Sequence, residues 1–275
     1  MKSSRVLSFI IIAIIYIAAF LVGWAMYKCP CVASWHVLWR LFIADVVATV
    51  FVWIFGLIFK NVSVYDPYWS VAPPVMMTAY ACQLGSWSGS TVLLLIAVWW
   101  WGIRLTGNWA YTFRNLNSED WRYTKYRTEK SPFVFQIINF AGLNMVPTIV
   151  VFMAMIPGFK IIEYCLSANV FTVLACLLCI GAATLQLVAD HQIHQFIREK
   201  KGRVCNVGLW KHGRHPNYFG EITMWWGVYL MFLSVTPNIA HDWFWLIGAV
   251  MNTLLFCFIS IPLMEGRQLK NKPEY

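Results

Sequence analysis

The chain has 275 residues, of which 60% are hydrophobic and only 12% are charged. A soluble globular domain carries roughly 25% charged residues, so this composition excludes a soluble protein and predicts an integral membrane protein. The net charge of +9 would suit nucleic acid, but Lys and Arg cluster between apolar runs, as membrane topology requires. We therefore expect no nucleic-acid partner.

Eight apolar segments follow one another along the chain and predict an all-α fold. The first, residues 6–26, is about 20 residues long, which is enough to span a bilayer as a retained helix and too long for the core of a signal peptide. Pro73 and Pro74 break the third segment and the seventh is short, so seven or nine spans stay open. The segments lie at about residues 6–27, 37–59, 67–84, 90–110, 133–157, 170–194, 219–235 and 243–264.

The positive charges orient these segments. With a cytoplasmic N-terminus, the inner loops hold 17 of the 21 Lys and Arg residues, and the outer loops hold only Lys28 and Lys160. Cytoplasmic loops are enriched in Lys and Arg, so the bias predicts an even number of spans and cytoplasmic termini. We predict a single polytopic membrane helix bundle over residues 1–275, with about eight transmembrane helices and cytoplasmic loops at 111–132 and 195–218. The same bias fits a bacterial inner membrane and an endoplasmic reticulum.

Two pairs of cysteines are close in sequence. Cys176 and Cys179 lie within an apolar segment, and Cys29 and Cys31 flank a proline. A structural metal or a disulfide is open for either pair, but small apolar packing residues are the favoured interpretation.

The stretch 214–221, Arg-His-Pro-Asn-Tyr-Phe-Gly-Glu, joins a basic loop to the seventh apolar segment. Pro216 suits the first turn of a helix, and the N–H groups of that turn favour an anion. A charge near hydrocarbon costs several kcal/mol, so Glu221 indicates a function rather than chance. Lys211 and Arg214 beside it suit phosphate groups.

A second polar set ends the sixth segment. Asp190, His194 and Arg198 recur at every fourth position and therefore share one face of a helix. Together with Asn217 and Glu221, they would suit a long anionic ligand that carries hydroxyl and amide groups. We predict that residues 190–275 bind a cofactor, against the alternative of a basic loop followed by a helix cap.

The histidines form two His-x-x-His pairs, His191 with His194 and His212 with His215. Membrane di-iron enzymes hold their metal with several such boxes. Because the chain has only six histidines, the set is incomplete and we predict no metal.

Asp66 and Tyr68 stand at the start of the third segment, on either side of Pro67. A residue before proline is extended, so Asp66 could simply cap the helix. In an apolar pocket, however, its carboxyl would have a raised pKa and could donate a proton to a substrate carbonyl, as could Tyr68. The sequence leaves both interpretations open.

Arg104 lies deep in the fourth segment, next to three tryptophans at 99–101, and needs a partner. Asp66 and Glu221 are the obvious candidates. Residues 119–123 lie in a long cytoplasmic loop, where they either fold over the site or cap the fifth segment.

At this point the residues resemble a known family, the steroid 5-alpha-reductase-like membrane proteins. The resemblance rests on residues 208–221, with the string R-H-P-N-Y-x-G-E. Residues 66–70 and 119–123 look like the bacterial-type branch that carries the DUF1295 domain. The resemblance covers the chain from about residue 40 to its end, although related membrane methyltransferases carry a similar R-H-P-x-Y-x-G.

The resemblance implies an NADPH-dependent reductase of an activated carbon–carbon double bond in a lipophilic substrate such as a 3-oxo-Δ4 steroid. It places Asn217 and Glu221 at the nicotinamide, and Asp66 at the substrate ketone with help from Tyr68 or Arg104. The other cofactor-binding residues that it implies are Asp190, Arg198, Arg203, Lys211, Arg214, His215, Tyr218 and Arg267. We expect a monomer whose partners are this substrate and membrane lipid.

One residue departs from the family pattern. Trp101 stands where the eukaryotic steroid reductases have a tyrosine, which affects the second carbonyl contact. The leading alternative is a membrane methyltransferase that uses S-adenosylmethionine, similar to the isoprenylcysteine methyltransferases, and a second is a non-enzymatic sterol- or lipid-binding protein. Asn217 and Glu221 favour the reductase.

Overall fold

The all-α prediction is confirmed. The structure, a computed structural model, describes residues 4–199, 202–272 and 275, and within these ranges it contains helices and no strand. The nine main helices of the described chain are α1 (Arg5–Lys28), α2 (Val37–Ile58), α3 (Tyr68–Leu84), α4 (Gly89–Thr112), α5 (Trp121–Glu129), α6 (Pro132–Tyr164), α7 (Val170–Glu199), α8 (Pro216–Val235) and α9 (Ile239–Asn271).

Each predicted apolar segment coincides with one of these helices. Six of the described helices, α1, α2, α4, α6, α7 and α9, are long and apolar enough to cross a membrane. The predicted third and seventh segments are α3 and α8, which are shorter. The remaining helix, α5, lies in the loop predicted at 111–132. The chain is therefore a polytopic helical membrane protein.

Local sequence signals explain where several helices begin. The Ser4 hydroxyl accepts a hydrogen bond from the Leu7 amide at the start of α1, and Ser131 with Pro132 opens α6 in the same way. Pro216 occupies the first turn of α8, as predicted. The expected break at Pro73 is wrong, because α3 continues through both of its prolines.

Two helices contain wider turns. Ile138–Met145 in α6 and Phe256–Ser260 in α9 are π-helical. Such segments insert an extra residue into a helix and re-aim the side chains beside it. Both helices also extend beyond the apolar segments predicted at 133–157 and 243–264.

The described chain forms two compact units. The first is residues 1–72 and 109–152, and the second is residues 73–108 and 153–275. In the first unit α1 and α2 approach closely at Gly23, where an added Cβ would lie 3.1 Å from the Ala44 carbonyl oxygen. The chain between α2 and α3, which includes the 3-10 helix Val62–Val64, packs into this unit with Val64 and Tyr65 buried.

In the second unit α7 packs along α8 through small residues. A Cβ on Gly227 would lie 2.5 Å from Cys179 Sγ, so glycine lets the two helices approach. Cys176 and Cys179 are buried there, which confirms their interpretation as packing residues. In the other pair Cys29 is partly buried, whereas Cys31 is exposed in the 3-10 helix Pro30–Val32 and does not fit that interpretation.

Candidate functional site

The centre of the second unit is a buried ionic cluster around Arg104. Arg104 Nη1 of α4 donates to Asp190 Oδ2 of α7 at 3.0 Å, and Arg104 Nη2 lies 3.6 Å from Glu221 Oε2 of α8. The Arg104 side chain is 3% exposed. Buried charges need such pairing, since removing one partner leaves an uncompensated charge. The predicted pairing of Arg104 with Glu221 is confirmed, and Asp190 is a second partner.

Two tryptophans donate hydrogen bonds to the carboxylate of Glu221. Trp101 Nε1 donates to Glu221 Oε2 at 2.8 Å, and Trp225 Nε1 donates to Glu221 Oε1 at 3.0 Å. The two indole rings meet edge to face, with centroids 5.0 Å apart. Each carboxyl oxygen therefore has an indole N–H, and the apolar rings shield the carboxylate.

Asn217 connects the cluster to the start of α8. Its Nδ2 donates to Asp190 Oδ1 at 3.1 Å, and its Oδ1 accepts from the Tyr218 amide at 3.0 Å. His215 precedes the helix and makes no side-chain cap hydrogen bond. A carboxylate–amide pair thus lies at the positive end of the helix dipole, where anions are stabilised.

Some polar atoms near this cluster have no partner. Arg104 Nε is buried and unpaired, and so are both amide atoms of Gln186, one turn before Asp190 on α7. Gln186 is fully buried, and Gly220 makes room for it, since a Cβ there would lie 2.5 Å from Gln186 Cγ. Buried polar groups are normally hydrogen-bonded, so unpaired ones in a native fold suit a ligand or ordered water.

The loop between α7 and α8 is fastened to the end of α7. Trp210 Nε1 donates to the Ala189 carbonyl, and Gln192 Oε1 accepts from the Leu209 amide, both at 2.8 Å. Gly208 has a φ of 55°, which favours glycine. His194 bonds to Asn108 Oδ1 of α4 at 2.8 Å. The bonds of Trp210 and Leu209 hold the loop against the end of α7, and the bond of His194 joins α7 to α4.

The basic residues predicted for phosphate binding lie at the surface of the second unit. Arg198, Arg203, Lys211 and Arg267 are exposed. Arg214 is also exposed and pairs with Glu265 at 3.3 Å. These exposed charges form a basic surface on the second unit.

His215 and Tyr218 form a stacked pair beside Glu265. Their ring centroids are 5.2 Å apart with 7° between the planes, and His215 Nε2 lies 3.4 Å from Glu265 Oε1. Burial lowers the pKa of His215, although Glu265 opposes that effect. His215 is therefore mainly neutral at pH 7 and presents a flat polar ring rather than a charge.

In the first unit Asp66 binds a tyrosine. Asp66 Oδ1 accepts a hydrogen bond from the Tyr123 hydroxyl. Burial raises the pKa of Asp66 to about 6, against the opposing effects of the Arg122 charge and the Tyr123 hydrogen bond. The carboxyl can thus hold a proton near neutral pH, as the sequence predicts for an acid in an apolar pocket.

Residues 119–123 both cap a helix and cover the chain that precedes α3. Asp120 caps α5 through the Arg122 amide at 2.9 Å, and its own amide donates to Ser63 Oγ at 3.1 Å. Glu119 accepts from the Val62 amide at 2.9 Å and pairs with Arg127 at 2.8 Å. The predicted cap of the fifth apolar segment is wrong, because Asp120 caps α5 and Ser131 caps α6. Whether this loop folds over the site stays a prediction.

Tyr68 is hydrogen-bonded within the first unit. Its hydroxyl donates to Asp45 Oδ1 of α2 at 2.7 Å. The sequence analysis did not identify Asp45 as a candidate site residue. It also did not foresee the roles of Tyr123, Trp225 and Gln186, although a tryptophan one turn after Glu221 was a usable signal.

The structure brings together Arg104, Asp190, Asn217 and Glu221 in the second unit. Asp66 and Tyr68 belong to the first unit, where they bind different partners. No group of three His, Cys, Asp or Glu side chains that could hold a metal occurs among the described residues.

The family expected from the motifs is confirmed by comparison with known proteins. Residues 52–275 match DUF1295, described as a protein family of unknown function. This chain belongs to the DUF1295 family. The family consists of steroid 5-alpha-reductase-like membrane proteins. No protein of curated function and no solved structure matches the chain.

Proposed function

We propose that this DUF1295 protein is an NADPH-dependent membrane reductase of an activated carbon–carbon double bond in a lipophilic, enone-bearing substrate. The observation that carries the proposal is the buried cluster of Arg104, Asp190, Glu221 and Asn217 at the start of α8. Such a cluster is costly within a membrane protein unless a function maintains it. Membership of a steroid 5-alpha-reductase-like family supports the same reaction class.

The residues of the second unit fit this cofactor. Carboxylates suit ribose hydroxyls, an asparagine suits a carboxamide, and exposed Arg and Lys side chains suit phosphates. Arg104 Nε and the amide of Gln186 are buried without partners, as expected of groups that a ligand completes. When bound, NADPH would supply the hydride.

Asn217 and Glu221 orient the ligand in this proposal. Asn217 is already fixed by Asp190 and the Tyr218 amide, so it does not have to be ordered on binding. Glu221 is held by two indoles and Arg104, which keeps its carboxylate in place. The exposed residues Lys211 and Arg214 would attract the phosphates by long-range electrostatics.

Asp66 supplies the acid. With a pKa of about 6, the carboxyl is protonated in roughly a tenth of molecules at pH 7, and this acid can hydrogen-bond the ketone oxygen of an enone. Such a bond stabilises the negative charge that develops on that oxygen as the double bond is reduced. Tyr68 would serve as a second hydrogen-bond donor to the same oxygen.

We further propose that the cofactor site faces the cytoplasm. The basis is the concentration of Lys and Arg in the loops that contain residues 111–132 and 195–218. Cytoplasmic NADPH would then reach the second unit directly.

The test is cofactor binding by the purified protein and by two variants. We expect Asn217→Ala and Glu221→Gln to abolish the thermal stabilisation that NADPH gives to the parent, because each removes a group assigned to the cofactor. A matched control is Asp242→Asn, which changes another buried carboxyl of the second unit without touching the cluster. If both site variants bind NADPH like the parent, the assignment is wrong.

A further inference from the structure

A buried acid–tyrosine pair lies inside the first unit. Tyr68 Oη donates to Asp45 Oδ1 at 2.7 Å, and Asp45 is 4% exposed. Asp45 lies in the central part of α2, a candidate membrane span. In the described chain no ion pair joins Asp45 to a basic residue, unlike the carboxylates around Arg104. A lone carboxylate at such a position is expensive, and the protonated acid avoids that cost.

The surroundings of this pair lie deep within the helices. The Tyr16 hydroxyl, midway along α1, donates to the Val64 carbonyl at 2.8 Å. Tyr65 shares a hydrogen bond with Thr148 at 2.7 Å, and Thr148 shares another with Thr49 of α2 at 2.9 Å. The chain before α3 therefore packs beside the middle of two candidate spans.

Tyr68 has a single hydroxyl proton, so it can donate only one hydrogen bond at a time. A tyrosine hydroxyl has one proton, and an ionised carboxylate can only accept. In the structure the Tyr68 proton is directed at Asp45. Tyr68 can offer it to another oxygen only if Asp45 carries a proton and donates to Tyr68 Oη along the same line.

We propose that Asp45 relays a proton through Tyr68 to the carbonyl oxygen of the lipophilic substrate. The O–H bond of Tyr68 breaks as an O–H bond forms on the substrate, and the acid O–H of Asp45 breaks as Tyr68 regains its proton. Asp45 is left as a carboxylate, which a proton from water restores. No electrons are transferred in this relay. The relay rests on the proposed function, because its proton acceptor is the carbonyl oxygen of the enone substrate.

The first part of the test asks whether Asp45 carries a proton, and it needs neither cofactor nor substrate. Infrared spectra of the detergent-purified parent, Asp45→Asn and Tyr68→Phe are compared in the region of the protonated carboxyl C=O stretch. We expect one band that is absent in Asp45→Asn and shifted in Tyr68→Phe, because Tyr68→Phe removes the hydrogen-bond partner. A parent spectrum without an Asp45 contribution overturns the relay.

The second part measures turnover of progesterone with NADPH. Asparagine has the size of aspartate and can still donate to Tyr68 Oη, but it cannot pass on a proton. We expect Asp45→Asn to lower kcat by about 100-fold, the lower end for general acid catalysis, with KM changed by less than about 3-fold. A role limited to positioning Tyr68 predicts nearly normal turnover in Asp45→Asn and a loss only in Asp45→Leu.

Asp242→Asn is the matched control. Asp242 is 2% exposed and accepts from the Tyr164 hydroxyl at 3.0 Å, so it is a second buried Asp–Tyr pair, located in the other unit. We expect parental kcat in this variant. If the parent oxidises no NADPH with progesterone, the reductase proposal fails and the relay loses its acceptor. If the parent is active and Asp45→Asn matches it, the relay alone is refuted.

Discussion

The carboxyl groups to which we assign roles in the proposed reaction have different partners in the two units. In the second unit Asp190 and Glu221 pair with Arg104, and indole N–H groups surround Glu221. In the first unit Asp45 and Asp66 are bonded to tyrosine hydroxyls. An ion pair keeps a carboxylate charged and fixed, whereas a phenol leaves it able to take up a proton. This difference supports our proposal that the second unit binds the cofactor and that the first unit supplies a proton.

Substitution of Arg104, the cation of the buried cluster in the second unit, is expected to have the largest effect on stability. Arg104→Leu leaves Asp190 and Glu221 buried without their counter-charge, and such a change costs about 3–5 kcal/mol. We expect a large fall in the melting temperature and in the yield of folded protein. The measurement is thermal unfolding in detergent, with Arg104→Lys as the control that keeps the charge. A Leu variant as stable as the parent would mean that the cluster is not ionic.

The second prediction concerns the pH dependence of stability that Asp66 contributes. Its folded pKa of about 6 lies above the ordinary value, so the folded state binds the proton more tightly than the unfolded state. This contribution is complete below about pH 4 and is lost as the pH rises to about 6. The rise in the pKa of Asp66 from its ordinary value to about 6 corresponds to a contribution to the free energy of unfolding of at most about 3 kcal/mol.

The measurement is the melting temperature from pH 4.5 to 7.5 for the parent and Asp66→Asn. The difference between their curves isolates Asp66 from the other titrating groups. We also expect Asp66→Asn to lower kcat by a larger factor than it lowers the affinity for NADPH. A pair of parallel curves would contradict the raised pKa.

A matched pair of hydrogen-bond deletions sharpens the comparison. Trp101→Phe removes a donor to the ion-paired Glu221, which we expect to cost about 2 kcal/mol because the acceptor is charged. Tyr123→Phe removes a donor to Asp66, and at pH 5 the protonated acid makes this cost about 1 kcal/mol. The costs are read from chemical or thermal unfolding at that pH. If Trp101→Phe costs no more stability than Tyr123→Phe, the distinction between the ion-paired Glu221 and the protonated Asp66 is contradicted.

The smallest effect on stability is expected at the surface. The Arg214 side chain is 62% exposed and pairs with Glu265 at 3.3 Å, so Arg214→Ala should change stability by less than about 0.5 kcal/mol. NADPH affinity should fall, and it should depend less on salt, because one phosphate-attracting charge is lost. Titrations at two ionic strengths check this. An unchanged affinity would remove Arg214 from the proposed cofactor set.

Much of the fold follows from the sequence because membrane helices are specified by long apolar runs. Hydrocarbon requires every backbone group to be bonded within the helix, so composition and length suffice to locate α1, α2, α4 and α7. Continuation of α3 through Pro73 was not predictable, since it depends on the packing that surrounds the freed carbonyl groups. The π-helical turn within α6 was likewise not predictable from the apolar pattern.

The candidate site was predictable to the extent that charge within an apolar segment demands a partner. That rule predicted Asp66 or Glu221 as the partner of Arg104, and Glu221 is confirmed, whereas Asp190 was not predicted. It could not identify Tyr123 or Asp45 as partners of Asp66 and Tyr68. Tyrosine is common on membrane helices, and the contacts join residues far apart in the sequence.

Ligand-dependent thermal stability of the detergent-purified protein tests the central claim most directly. NADPH, NADH and S-adenosylmethionine are added in turn, because a ligand that binds only the folded state raises the melting temperature. At 100 times its dissociation constant, a ligand stabilises by about 2.7 kcal/mol. The reductase proposal predicts a shift with NADPH that Asn217→Ala abolishes. A shift with S-adenosylmethionine alone would contradict it and indicate a methyltransferase.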